Sequence, residues 1–145
     1  MTTTATSVTE RNRAIVTGIM EALSRGERQP FAEAMAEDFT WHMVGTTAWS
    51  GTFAGKTEVR QRLIAPLFAQ FGSHYTNTPK RILADGDFVV VESRGNVTTK
   101  TGKLYANTYC MVIRLREGKM VELTEYLDTE LVSSALEPPA WAATA

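Results

Sequence analysis

Asn107-Thr-Tyr-Cys-Met-Val-Ile-Arg-Leu-Arg-Glu-Gly-Lys-Met-Val-Glu-Leu-Thr-Glu-Tyr-Leu-Asp-Thr129 reads as two strands joined at Glu117-Gly118, and its register decides which side chains meet. A two-residue loop pairs Arg116 with Lys119 and puts Tyr109, Met111 and Ile113 on the face of Glu122 and Thr124. A three-residue loop with a left-handed Gly118 pairs Leu115 with Lys119. Asn107, Tyr109, Met111, Ile113, Val121, Leu123, Glu125 and Leu127 then share one face, while Arg114, Glu122, Thr124 and Asp128 share the other. The second register separates apolar from polar better and is adopted. It turns Glu125 toward the core beside Tyr109 and near Asn107, where a carboxylate must be hydrogen-bonded, neutralised or set against a cavity.

Upstream, Tyr75–Ala84, Asp87–Thr98 and Leu104–Arg116 read as strands leading to Lys119–Asp128. Asp85-Gly86 and Thr101-Gly102 carry further hairpin signals. Before them the periodicity is helical. Ser7-Val8-Thr9-Glu10 has capping-box spacing ahead of the stripe Ile15, Val16, Ile19, Met20 and Leu23. A short helix is expected over Phe31–Ala36, then a strand over Phe39–Val44 and a turn with a short strand over Thr46–Ala54. Thr57 is expected to cap a third helix bearing Val59, Leu63, Leu67 and Phe71, which Pro66 should bend or interrupt. Helices followed by a four-stranded meander indicate an α+β fold with helices on one face of a curved antiparallel sheet. Residues 1–8 are expected to be a flexible tail, 9–136 one domain, and 137–145 a loose tail.

The chain has 145 residues and a formal net charge of −1, which suits one domain and argues against a broad basic face for nucleic acid. No apolar run approaches membrane-spanning length, and the first residues lack signal-peptide features, so a cytoplasmic location is expected. One cysteine, Cys110, excludes an internal disulfide and a multi-cysteine zinc site, and two histidines supply little for a metal centre. No metal or cofactor is expected. Gly51-Thr-Phe-Ala-Gly55-Lys56-Thr57 imitates a phosphate loop but has three residues between its glycines where four are needed.

Glu125 is the first candidate for chemistry, since burial would raise its pKa toward neutrality. The alternative is a carboxyl with a purely structural bond. In Phe88-Val-Val-Val-Glu-Ser-Arg-Gly-Asn96 periodicity leaves two facings open. Turned inward, Arg94 would hold Glu125 ionised and Glu92 would complete a carboxylate pair; turned outward, they are surface charges. Gly95 could mark a bulge. Trp41 and Met43 alternate to one side as pocket wall, with Leu63, Met111 and Leu123 as further apolar lining. His42 alternates to the opposite side; it is read as a bonded structural residue, with an acid–base role beside the substrate as the sharper alternative. His74 lies in a loop, and Cys110 faces outward with no paired histidine. Cys110, Val112, Met120 and Tyr126 make the outer sheet face apolar enough to expect a homodimer, unless the tail with Trp141 covers it.

The leading helix, Ala36-Glu-Asp-Phe-Thr-Trp41, Gly51-Thr-Phe-Ala-Gly55 and the stretch from Asn107 to Thr129 together resemble the SnoaL-like family. That family belongs to the nuclear-transport-factor-2-like superfamily, with ketosteroid isomerases, limonene-epoxide hydrolases and polyketide cyclases. The resemblance covers roughly residues 9–136. It implies a cone-shaped α+β barrel, a deep apolar pocket and commonly a dimer through the sheet. Leu123-Thr-Glu-Tyr-Leu-Asp128 is similar to the last-strand motif of the epoxide hydrolases, with Glu125 at their acidic residue. Arg94 and Asn96 match their arginine and second carboxylate under one of two alignments. Trp41 and Met43 stand where those enzymes place a tyrosine and an asparagine to hold water. The expected function is cofactor-independent acid–base chemistry on a small apolar molecule: Glu125 moves a proton, Tyr109 and Asn107 orient an oxygen, and Trp41 packs the substrate. A noncatalytic binding or dimeric interaction module is the rival, and an accessory subunit a third.

Overall fold

The computed structural model describes residues 7–142; the expected flexible start through Thr6 and the last three residues lie outside them. Ser7 caps helix α1 (Val8–Ser24), its Oγ accepting from the Glu10 N–H at 3.1 Å. The buried stripe is Val16, Ile19, Met20 and Leu23. Thr9 Oγ1 accepts from the Gly86 N–H (2.8 Å) and Asn12 Nδ2 donates to the Gly86 carbonyl (3.0 Å), fastening the helix to a hairpin turn.

Helix α2 (Gln29–Ala34) starts and ends earlier than expected, because Pro30 favours a first helical turn and Met35 is already extended. Strand β1 (Met35–Met43) turns back through β2 (Gly51–Ala54). The next helix is capped at Gly55 (φ 97°) in place of Thr57. It runs as α3 (Lys56–Glu58), a π-helical segment Val59–Ile64, and α4 (Ala65–Phe68). Pro66 therefore interrupts the regular α-helix, as expected, but the rod continues through a π-helical segment. The wider turn accommodates the ring, and the Arg62 carbonyl, which residue 66 would serve in an α-helix, accepts from Trp141 Nε1–H at 2.8 Å.

Strands β3 (Thr76–Asp85), β4 (Phe88–Thr98), β5 (Leu104–Tyr105), β6 (Thr108–Arg116) and β7 (Lys119–Leu127) follow, then α5 (Thr129–Ala135) and a 3-10 turn at Ala140–Ala142. The sheet runs β2-β1-β7-β6-β4-β3, with β5 paired to β4. It is antiparallel except where β1 lies parallel to β7, pairing Met43 with Glu125. This is a curled α+β half-barrel, its helices over the concave face. Helix α5 begins at the Asp128 cap, and the tail after it is more structured than expected: Ala140–Ala142 form the 3-10 turn, and Trp141 packs against Phe53 with ring centres 5.8 Å apart. Trp141 does not cover the outer sheet face.

The β6–β7 hairpin combines both registers. Its turn is the two-residue form, Arg116 opposite Lys119, with Glu117 (φ 51°) and Gly118 (φ 81°) left-handed. A bulge then leaves Val121 extra between Met120 and Glu122, so Ile113 meets Leu123 and Met111 meets Glu125. The expected inner face is correct except at Val121, which the bulge takes out of the core cluster, while the turn type and the cross-strand partner of Glu125 are corrected. Met120 is corrected too: it is fully buried, leaving Cys110, Val112 and Tyr126 on the outer face.

Candidate active site

A cavity of about 410 Å³ opens between α2, the helix over residues 56–68 and the concave sheet face. Four strands deliver its chemistry. Tyr75 and Asn77 enter at the start of β3, Tyr105 and Tyr109 flank the break between β5 and β6, and β7 contributes Glu125. Trp41 and Met43 reach it from β1, and Leu63 from the π-helical segment.

Glu125 is 6% exposed. Burial pushes its carboxyl up to about 7, since the anion loses its water. The Trp41 N–H beside it offsets this slightly, yet lies outside the geometry of a formed hydrogen bond and has no such partner among the described residues. Tyr75, Tyr105 and Tyr109 interact with one another and with the Glu125 charge. Burial is the main cause of their raised pKa values, which for Tyr105 reaches about 12. The phenols therefore remain neutral near pH 7 and serve as donors, while Glu125 is the group that can change charge. Asn77 adds a buried Oδ1 with no hydrogen-bond partner among the described residues.

Gly95 marks a close approach and not a bulge. Strand β4 continues through it, and a Cβ there would stand 2.9 Å from Tyr109 Cε2. The β3–β4 irregularity lies instead between Pro79 and Arg81. Because alternation persists, Val89, Val91, Ser93 and Val97 face inward, and Glu92, Arg94 and Asn96 face outward. Glu92 pairs with Arg81 at 2.8 Å on the surface, and Arg94 is exposed. The inward placement of Glu92 and Arg94 is thus corrected; neither reaches Glu125.

Asn107 is fully buried but does not line the cavity. Its Oδ1 accepts from the Asp128 N–H at 3.0 Å, and its Nδ2 donates to the Asp128 carbonyl (3.1 Å) and the Tyr105 hydroxyl (3.2 Å). These bonds clasp the β5–β6 break to the end of β7, so Asn107 positions Tyr105 instead of meeting a substrate oxygen. Met111 lines the cavity, whereas Leu123 is packed behind it. His42 does not line it: its Nδ1 bonds Thr52 Oγ1 at 2.9 Å across the β1–β2 hairpin. His74 donates from Nε2 to the Arg25 carbonyl at 3.1 Å.

Tyr75, Asn77, Tyr105 and Trp49 were not singled out by their sequence. The available signal was parity: Tyr75 with Asn77, and Tyr105 with Tyr109, share strand faces. Trp49 lies in the β1–β2 connection, its Nε1–H held by the Glu137 carbonyl at 3.0 Å. Among the described residues no cluster of three His, Cys, Asp or Glu side chains could hold a metal, and no helix is long and apolar enough to cross a membrane.

The family model for the SnoaL-like domain matches residues 16–123, most of the chain, and the chain belongs to that family. No curated protein matches it significantly in sequence. Solved structures share its NTF2-like fold. An NTF2-like protein of unknown function from Burkholderia pseudomallei K96243 is 22% identical, with TM-score 0.73, over 86% of this chain and 96% of that one. A protein provisionally assigned as a SnoaL-like polyketide cyclase, from Jannaschia sp. CCS1, is 17% identical, with TM-score 0.73, over 95% and 99%. An LEH-like epoxide hydrolase from M. tuberculosis is 19% identical, with TM-score 0.66, over 84% and 86%.

Proposed function

We propose that this member of the SnoaL-like domain family binds a small, largely apolar molecule in the cavity and moves a proton on it with Glu125. The observation that carries the reading is a single buried carboxyl, brought to a pKa of about 7, in a mostly apolar wall. Near neutrality such a group exists in both forms. Ionised, it can take a proton from carbon or oxygen next to a carbonyl; protonated, it can return that proton elsewhere on the same molecule. Proton transfer of this kind needs no cofactor. The Trp41 ring, which lines the cavity beside Glu125, packs the apolar part of the substrate.

An isomerase or cyclase fits these residues better than an epoxide hydrolase. Hydrolysis needs a water held on several sides. Trp41 and Met43 offer one N–H and a thioether at the positions where the epoxide hydrolases carry a tyrosine and an asparagine, and Arg94 and Asn96 face solvent.

A thermal-shift screen of terpenoid, steroid and polyketide-like compounds should yield a stabilising ligand, followed by turnover assays on each hit. Glu125→Gln should abolish turnover while sparing binding. Turnover kept by that variant would remove Glu125 from the role, and binding without any wild-type turnover would make the protein a binding module.

A further inference from the structure

We infer that the ligand of this cavity is an amphipathic anion, its apolar body inside and its acidic group held by Arg28 at the mouth. The inference rests on reading the cavity as a ligand site. Arg28 precedes α2 and lines the cavity while remaining exposed to solvent. Its guanidinium carbon lies 3.9 Å from the centre of the Phe68 ring, which fixes the group against the cavity wall. Among the described residues Arg28 makes no ion pair, and the neighbouring Glu27 is taken by Arg25 at 3.1 Å. A guanidinium stacked on a ring and free of a carboxylate retains its donor fork for an incoming anion.

The same arginine borders a second, polar recess of about 200 Å³, which shares Phe68 and Tyr75 with the cavity. Ser73 and His74 line it, and among the described residues no carboxylate does. Ser73 Oγ already accepts from the Thr98 N–H at 2.8 Å, so its hydroxyl proton remains to be donated. An acidic group at Arg28 would thus meet a cation and a hydroxyl without a repelling carboxylate. Glu125, the one carboxylate lining the cavity among the described residues, sits on the sheet. Arg60 also lines the cavity but not the polar recess, so the ring support and the recess together assign the anion to Arg28.

The test uses two fluorophores that differ by one group, 8-anilinonaphthalene-1-sulfonate and the neutral N-phenyl-1-naphthylamine, titrated into the full-length protein. The wild type should bind the sulfonate about tenfold more tightly. Arg28→Ala should remove that preference and leave the neutral probe's affinity unchanged, while Arg28→Lys should restore part of it. The inference fails if Arg28→Ala weakens both probes equally, if the wild type shows no preference, or if Arg60→Ala alone abolishes it. Ala32→Trp, which fills the cavity mouth, separates the two readings. If it leaves sulfonate binding intact, the probe binds outside and the cavity reading falls as well. If it blocks both probes while the wild type shows no preference, only the anion assignment is lost.

Discussion

The bare Cα of Gly95 makes room for the ring of Tyr109: a Cβ there would lie 2.9 Å from Cε2 and 3.3 Å from the hydroxyl. The ring is buried beside Tyr75, Tyr105 and Glu125. Gly95→Ala should cost about 1–3 kcal/mol by overpacking, read from urea unfolding, and should weaken ligand binding because Tyr109 lines the cavity. Gly18→Ala, with nothing within 4 Å of its Cβ and a helical backbone, should instead stabilise by about 0.5–1 kcal/mol. Equal effects of the two changes would show that the Tyr109 ring yields freely.

Glu125 makes stability depend on pH. Its folded pKa of about 7 lies above the ordinary 4.5, so the native state holds this proton more tightly than the unfolded chain. The contribution is fully present below about pH 4.5 and is lost as pH rises to about 7, amounting to about 3 kcal/mol. Denaturation of wild type and Glu125→Gln across pH 4–8 should show the wild type losing stability relative to the variant over that window. A pH-independent difference would mean that the carboxyl titrates normally.

Trp141 and Pro66 should be energetically coupled. The indole N–H serves the Arg62 carbonyl, the acceptor that residue 66 cannot reach. Trp141→Phe should cost about 1–2 kcal/mol in the wild type and less in a Pro66→Ala background, where residue 66 regains an amide. Strict additivity in that double-mutant cycle would place the worth of Trp141 in its packing against Phe53 and Arg62 instead.

Asn107 and Arg94 should behave oppositely to their chemical promise. Asn107→Ala strands the Asp128 N–H and carbonyl and releases Tyr105, and should cost about 2–4 kcal/mol. Arg94→Ala, exposed on the far face, should change stability by less than about 0.5 kcal/mol and leave ligand affinity unchanged. Loss of binding in the arginine variant would require a site on the outer face.

Local alternation and turn chemistry were enough to read the α+β order, most strands, the capped first helix and the inward placement of Glu125. Those features depend on neighbours along the chain. Facing within β4 was not readable from it, because Val89, Val90 and Val91 are apolar on both sides; the packing of Val89 and Val91 against the core decides that Glu92 and Arg94 turn outward. The correct face for Glu125 came from the wrong turn, since a bulge at Val121 offsets the two-residue loop.

What the chain determined by itself was a half-barrel with a carboxyl turned into it, because a residue's face follows from period-2 geometry once the register is set. Only the tertiary structure decided what surrounds that carboxyl. Tyr75, Tyr105, Tyr109 and Trp41 are separated by up to 68 positions in sequence and converge because β1, β3, β5 and β6 curl around one cavity. The curl removes water from Glu125, and that loss of solvation shifts its pKa toward neutrality.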